Sequence, residues 1–365
     1  MRILYFTQGQ SPHDMRFLTA LAATRHQLGV LCLDDVTGKS WPAGVEVLGW
    51  PDFYIQLPKK HKRAQVKAFA AVVAAFKPDV VHAGPIQKVA SIAARARVKP
   101  LLAMSWGSDL LMDARDSLHS NLLARFTLRK TTLLAADCFT VVKRASELGY
   151  HGPIVVFPWG VDLQHFKPAA SSTLREQLGW QQEFVFLSNR TLEPLYGVEV
   201  IAWAFIQACQ RNEHLRLLVY GKGSQEGMLK ALFEKAGLID RVHFGGFANL
   251  EQLPAIYASA DVYLSASHSD GSSVSLMEAL ACARPVIVSD IPSNLEWVKP
   301  GKQGWVFEDG NVPDLAEKML QAAASKKLAE IGINNRSLAE QKADWTQNFA
   351  KLLAAYEEAV QLVKK

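Results

Sequence analysis

Two carboxylates, Asp270 and Glu278, stand on either side of seven residues that begin Gly271, Ser272, Ser273, Val274 and Ser275. The small-residue loop opens an apolar stretch, Val274–Ala283, that reads as a buried helix. Backbone N–H groups at a helix amino end form a phosphate-sized cradle, and the helix dipole favours an anion there. Carboxylates cannot hold a phosphate, but they accept hydrogen bonds from sugar hydroxyls. An anion nest with a hydroxyl acceptor on each side describes a site for a nucleotide sugar. The same residues allow a second reading: Ser275-Leu-Met-Glu278 also fits a capping box, with Glu278 only satisfying the N-cap amide.

Further candidates lie in other loops. Arg190 follows the apolar run Phe184–Ser188; its guanidinium can grip phosphate oxygens bidentately, or it forms a surface ion pair. Lys222, in Tyr220-Gly-Lys-Gly-Ser224 at the end of the next strand, offers a second cation. His13 and Asp14 follow the first strand and are candidates for touching an acceptor; the plainer account is an Asp N-cap beside a solvated His.

The elements that must position these residues alternate strand and helix. Asp261–Ser265 and Pro285–Ser289 read as buried strands around the helix, a βαβ unit of a parallel sheet. Ligands of open α/β sheets bind at the carboxyl ends of strands, where each of these loops sits. In the first half, residues 2–6, 30–33, 80–84 and 137–142 read as strands, with helices over 15–28 and 118–136. The Pro- and Gly-punctuated segment Val155–Pro168 marks a boundary, which places a linker at about residues 160–175. The expected fold class is α/β, two doubly wound Rossmann-like domains facing a cleft: 1–165, and 175–345.

Composition sets bounds on the rest. At 365 residues, 49% hydrophobic and 21% charged, the chain reads as an ordinary globular protein of about two domains. No apolar run is long enough for a transmembrane helix, and the polar-flanked start Met-Arg-Ile-Leu-Tyr-Phe-Thr-Gln reads as a strand, not a signal peptide. The 4 cysteines, without a CxxC pair, point to buried thiols in a reducing compartment, so a cytoplasmic location is expected. A net charge of +5 does not demand nucleic acid, and none is expected as a partner. Residues 50–67 interleave aromatics with Lys59, Lys60, Lys62 and Arg63. That composition suits peripheral contact with anionic lipid at the inner membrane face, or a plain solvated helix start.

Asp270-x7-Glu278, followed by Ala-Leu-Ala-Cys-Ala-Arg-Pro-Val-Ile-Val-Ser-Asp, resembles the Glu-x7-Glu signature of the retaining GT-B glycosyltransferases of glycosyltransferase family 4, with Asp in place of the first Glu. The resemblance implies a GT-B fold, the donor held mainly by the second domain and the acceptor by the first, and a final helix, 346–365, returning to the first domain. It implies that Asp270 sits near the donor sugar, that Glu278 binds ribose hydroxyls, and that the backbone around Phe247 lines the nucleobase. The family's Arg-x5-Lys is present only as Arg190, because Tyr196 stands where the Lys would be; Lys222 would restore the charge. The family's His-Gly-x-Asp becomes Trp106-Gly-Ser-Asp109, so Asp109 carries over and Trp106 would stack on a sugar face. His82 matches a family His after a Val-Val strand, and reads equally well as a satisfied core histidine. The reaction implied is transfer of a hexose-type sugar, with retention, from a nucleotide diphosphate sugar to a glycan, a lipid-linked or a small-molecule acceptor. A UDP-sugar is the expected donor substrate, with no metal and no further cofactor. Asp270, Arg190 and Asp109 are the expected catalytic set.

Competing functions fare less well. A dehydrogenase would need a glycine fingerprint after the first strand, where Gly9-Gln-Ser-Pro-His-Asp14 stands instead. A phosphorylase would need a pyridoxal-binding lysine, and nothing marks one. A catalytically silent nucleotide-sugar-binding subunit of another transferase stays open, given Trp106 and Tyr196.

Overall fold

Strands buried on both faces need nearly continuous apolar runs, and the first half of the chain forms seven strands, buried except at the two edges of their sheet. They are β1 (Arg2–Thr7), β2 (Gln27–Cys32), β3 (Val45–Val47), β4 (Val80–Gly84), β5 (Leu101–Met104), β6 (Leu133–Ala136) and β7 (Ile154–Val156). All pair in parallel, in the order β3-β2-β1-β4-β5-β6-β7. The second half builds β8 (Phe184–Ser188), β9 (Leu215–Tyr220), β10 (Val242–Gly246), β11 (Val262–Ser265), β12 (Val286–Ser289) and β13 (Gly304–Phe307). These are also parallel, in the order β10-β9-β8-β11-β12-β13. Both orders reverse direction beside the first strand of the sheet, at β1/β4 and β8/β11, the doubly wound pattern with its switch point.

The structure is a computed structural model describing residues 1–57, 61–169 and 173–364. Its two compact units are Met1–Phe157 with Phe349–Lys365, and Pro158–Asn348. In the first, Phe6 stacks on Phe69 at 4.5 Å within one apolar cluster. In the second, successive residues of β8 alternate faces: Phe186 joins the cluster of Phe205 and Phe233, whereas Val185 and Leu187 join that of Tyr263 and Leu276. Among the described residues no helix is long and apolar enough to cross a membrane.

Two stretches differ from expectation. The helix expected over 118–136 stops at Lys130, β6 occupies Leu133–Ala136, and Phe139–Glu147, expected to begin as strand, is helix. The mostly apolar segment from Leu133 to Val142 carries no periodicity that separates strand from helix; pairing between β5 and β7 decides it. The first helix spans Pro12–Ala22, earlier than expected, because Ser11 caps it.

Candidate functional site

The β8/β11 switch point collects the charged candidates of the second unit. Arg190, two residues past β8, reaches across to the loop after β11, where Nη2 meets Asp270 Oδ2 at 2.7 Å. Its Nη1 donates to Ser273 Oγ at 2.7 Å and to Ser275 Oγ at 3.1 Å. The Tyr196 ring lies 4.2 Å from the guanidinium carbon, a cation–π contact at the position where a lysine was expected. Burial opposes the Arg190 charge, but Asp270 and the neighbouring tyrosines outweigh it and hold the guanidinium more firmly protonated than usual.

The cradle residues take defined places. Ser273 is the N-cap of the helix Val274–Ala281, its Oγ accepting from Leu276 N, and Gly271, Ser272, Ser273 and Ser275 are buried. Ser275 Oγ also meets Tyr263 Oη at 2.8 Å, and Trp297 Nε1 donates to Ser272 Oγ at 3.3 Å. Glu278 is not the partner of a capping box. It lies in the helix interior, 7% exposed, and its Oε2 accepts from Tyr257 Oη at 2.9 Å. Burial and Glu278 keep the Tyr257 phenol well above its ordinary pKa, so it stays a donor. Tyr257 Oη in turn accepts from Asn189 Nδ2 at 2.8 Å, tying the loop after β8 to the helix. Nothing in the local sequence announces Tyr257; it arrives from the separate short helix Leu253–Ala258.

Close backbone approach explains the glycines around this site. A Cβ on Gly221, whose φ is +129°, would stand 2.3 Å from the Arg190 carbonyl oxygen, and one on Gly197 would stand 2.0 Å from that of Ala266. The loop after β9 therefore lies against the Arg190 loop, and Leu192 N donates to the Lys222 carbonyl at 3.0 Å. Lys222 is in the neighbouring segment with its side chain exposed. Phe247, 72% exposed after β10, lines a hollow of about 250 Å³ with Tyr220, Gly245 and Gln252.

The corresponding loops of the first unit are pinned from within. Asp109, 2% exposed, accepts from Ser105 Oγ (2.6 Å), Trp106 N (3.1 Å) and Leu110 N (3.0 Å) on Oδ1, and from Ile86 N (2.8 Å) on Oδ2. These contacts make it a positioning residue joining the loops after β4 and β5. Burial, against those hydrogen bonds, raises its pKa to about 6. His82 is a core histidine, with Nδ1 2.6 Å from Tyr356 Oη and Nε2 3.3 Å from the Met104 sulfur. Burial lowers its pKa to about 3, and the ring is committed to the core, not to an acceptor. Asp14 sits at the third helical position of a capping box with Ser11, not at the N-cap, and accepts from Tyr5 Oη at 3.1 Å. The His13 and Trp106 rings come together, centroids 5.8 Å apart.

In the segment 50–67 the aromatics divide. Trp50 donates to the Cys32 carbonyl and Tyr54 is buried, whereas Phe53 and Ile55 are about half exposed, with Lys67 Nζ over the Phe53 ring at 5.7 Å; Lys62 and Arg63 are exposed at the start of the next helix. Lys59 and Lys60 lie outside the described residues.

Two family profiles match the chain: residues 171–337 match Glycosyl transferases group 1, and residues 2–138 match Glycosyl transferase 4-like. Anabaena Alr3699/HepE, solved with UDP, superimposes with a TM-score of 0.81 at 21% identity over 98% of this chain and 100% of that one. Sucrose-phosphate synthase from Thermosynechococcus elongatus gives 0.81 at 18% identity over 98% of this chain and 99% of that one. The fold is GT-B, two Rossmann-like units on one chain, and each unit matches a glycosyltransferase profile. Among curated relatives, the GtfA subunit of the UDP-N-acetylglucosamine–peptide N-acetylglucosaminyltransferase of Streptococcus gordonii is 31% identical over 41% of this chain and 32% of its own length. The D-inositol 3-phosphate glycosyltransferase of Segniliparus rotundus is 28% identical over 57% and 47%. The matches to these two thus span a third to a half of the relatives' length. A GDP-mannose-dependent phosphatidylinositol monomannoside mannosyltransferase of Mycolicibacterium smegmatis is 26% identical over 74% and 73%.

Proposed function

We propose that the chain is a retaining family 4 glycosyltransferase that moves a hexose-type sugar from a nucleotide diphosphate sugar, a UDP-sugar, to a glycan, lipid-linked or small-molecule acceptor. The observation that carries this is the Arg190–Asp270 pair at the β8/β11 switch point, set among the hydroxyls of Ser273 and Ser275. Arg190 is a fixed cation at the amino end of a helix, where a leaving diphosphate gains most from charge neutralisation. When the diphosphate arrives, Arg190 exchanges Asp270 for phosphate oxygens, and Asp270 turns to the sugar hydroxyls. Glu278, oriented by Tyr257, holds the ribose, and Lys222 adds charge from the neighbouring loop. The departing phosphate takes the acceptor proton on the face it leaves, so no separate general base is required. No cofactor beyond the donor enters this scheme, and the chain's own cations supply the neutralisation.

The acceptor side falls to the first unit, with His13 and Trp106 presenting paired rings. Phe53 and Ile55 with the basic residues beside them serve as a peripheral contact with anionic lipid on the cytoplasmic face. Salt-sensitive sedimentation with phosphatidylglycerol vesicles that disappears in Phe53→Ser/Ile55→Ser supports that contact; no binding at low salt removes it.

Isothermal titration with UDP, GDP and ADP, repeated on Glu278→Gln, tests the donor site. One nucleotide should bind, with at least tenfold weaker binding in the variant; no nucleotide binding sinks the reading. Tyr196, which spends Arg190's free face on stacking, favours one second reading, a silent nucleotide-sugar-binding subunit. UDP binding without any hydrolysis or transfer from UDP-sugars would select it.

A further inference from the structure

A hollow of about 260 Å³ opens in the second unit beside the amino end of the helix Val198–Cys209. Trp203 lines it, and that side chain is 43% exposed. Pro194, Val200 and Val312 add aliphatic walls, while Glu199 and His268 bring polar atoms. Glu199 precedes Trp203 by one helical turn, so carboxylate and indole share a face. Among the described residues the Glu199 carboxylate makes no hydrogen bond and no ion pair. The His268 Nδ1 stands 2.7 Å from Asp309 Oδ1, which leaves Nε2 as the uncommitted polar atom of the ring.

The lining selects among ligands. It contains no Lys or Arg, so an anion finds nothing to neutralise it, and Glu199 repels it. A purely apolar group would strip water from an unpaired carboxylate. An organic cation is best held by a cage of aromatic rings, whereas here one indole stands among aliphatic walls. A sugar ring meets every demand: the C–H face of a pyranose covers an indole, and the hydroxyls at its edge donate to a carboxylate or an imidazole nitrogen. At about 30 Å³ per water the hollow has the room of about eight waters, enough for one pyranose.

Its rim is built from the loops that hold the Arg190–Asp270 pair. Pro194 and Gly197 follow Arg190 in one loop, His268 precedes Asp270 in the other, and His268 N donates to the Leu195 carbonyl at 2.9 Å.

We propose that this hollow is a sugar-binding subsite distinct from the donor cradle, taking one neutral pyranose by stacking on Trp203 and by hydrogen bonds to Glu199 and His268. Sugar binding here stands without the transferase reading; resting on that reading, a seated sugar also steadies the two loops that carry the donor pair.

Saturation-transfer NMR on the full chain, with and without saturating UDP, tests it. The probes are methyl α-D-glucopyranoside, methyl α-D-mannopyranoside and N-acetylglucosamine. At least one should bind saturably through its ring C–H protons, about tenfold more weakly in Trp203→Ala and several-fold more weakly in Glu199→Gln. Trp203→Tyr, which keeps an aromatic face, should retain most of the binding, and thermal unfolding should be unchanged in all three variants. Transfer that ignores the substitutions puts the sugar elsewhere, and no saturable transfer from any of the three sugars leaves no subsite; either overturns the proposal. Binding of choline in place of the sugars, abolished by the same substitutions, makes this a cation site and overturns it equally. Maltotriose and mannotriose separate the sources: tighter binding than the matching monosaccharide assigns a unit of a glycan, and equal binding assigns a single sugar. Failure of UDP to bind is a failure of the donor site alone, and the sugar titration remains readable without it.

Discussion

The six strands of the second unit repeat the order of the first six strands of the first, and the two units use the same place in that order for opposite purposes. At the β8/β11 switch point an Arg–Asp pair stands with serine hydroxyls and a stacked tyrosine, its members still partly exposed at 12% and 19%. In the first unit the loops beside the β1/β4 switch point are tied together by a fully committed carboxylate, Asp109, above a neutral buried histidine, His82. A fold therefore does not dictate chemistry at its ligand end; the loops do. A charge held by exchangeable partners can be handed to a ligand, whereas a charge saturated by backbone N–H groups is structural.

Replacing Arg190 breaks the contrast most severely. Arg190→Ala should lower kcat for sugar transfer by 10²–10³, about 3–4 kcal/mol of transition-state stabilisation, and Arg190→Lys should recover only part because the planar fork is lost. Steady-state kinetics with a UDP-sugar read this directly; near-wild-type turnover would show that the pair is only structural. Asp109→Ala should instead leave UDP affinity alone and destabilise the first unit by about 3 kcal/mol, since buried N–H donors lose their acceptor. Urea unfolding followed beside UDP titration separates the two effects.

His82 sharpens the comparison through pH. The folded ring does not take a proton until about pH 3, while the unfolded one does so below its ordinary 6.5. Below 6.5 the unfolded state therefore binds more protons, and stability falls as pH falls through the window from 6.5 to 3. Between pH 6.5 and 5 the loss is about 2 kcal/mol. Hydrogen exchange should place that loss in the first unit, and His82→Gln should flatten it; an equal loss in both units would contradict the assignment. Smallest is Tyr196→Ala, which removes about 1 kcal/mol of cation–π support. The donor KM should rise several-fold with kcat nearly unchanged, and Tyr196→Lys should restore or improve it.

The architecture of both sheets was largely legible because each buried strand is a short apolar run closed by turn residues, as at Phe184–Ser188 and Val262–Ser265. Legibility failed at Leu133–Val142, where a mostly apolar segment interrupted by Asp137 and Thr140 has no clear period and neighbouring strands chose the register. The cradle loop and Arg190 stood out by residue type. Tyr257 did not, and Glu278 was equally readable as a cap, because a carboxylate's partner cannot be inferred from a helix start alone.

By itself the sequence determined the alternation of strand and helix, the loops at strand ends, and which charged residues those loops carry. These are local matters, set by apolar runs, small residues and turn chemistry within a few positions of each other. Only the tertiary structure decided which charges are available. It brought Arg190 to Asp270 across 80 positions and His82 to Tyr356 across 274. Parallel strands join through long crossovers, so the residues facing one another at a sheet's carboxyl edge depend on strand order and register, and those are decided by the packing of the whole sheet.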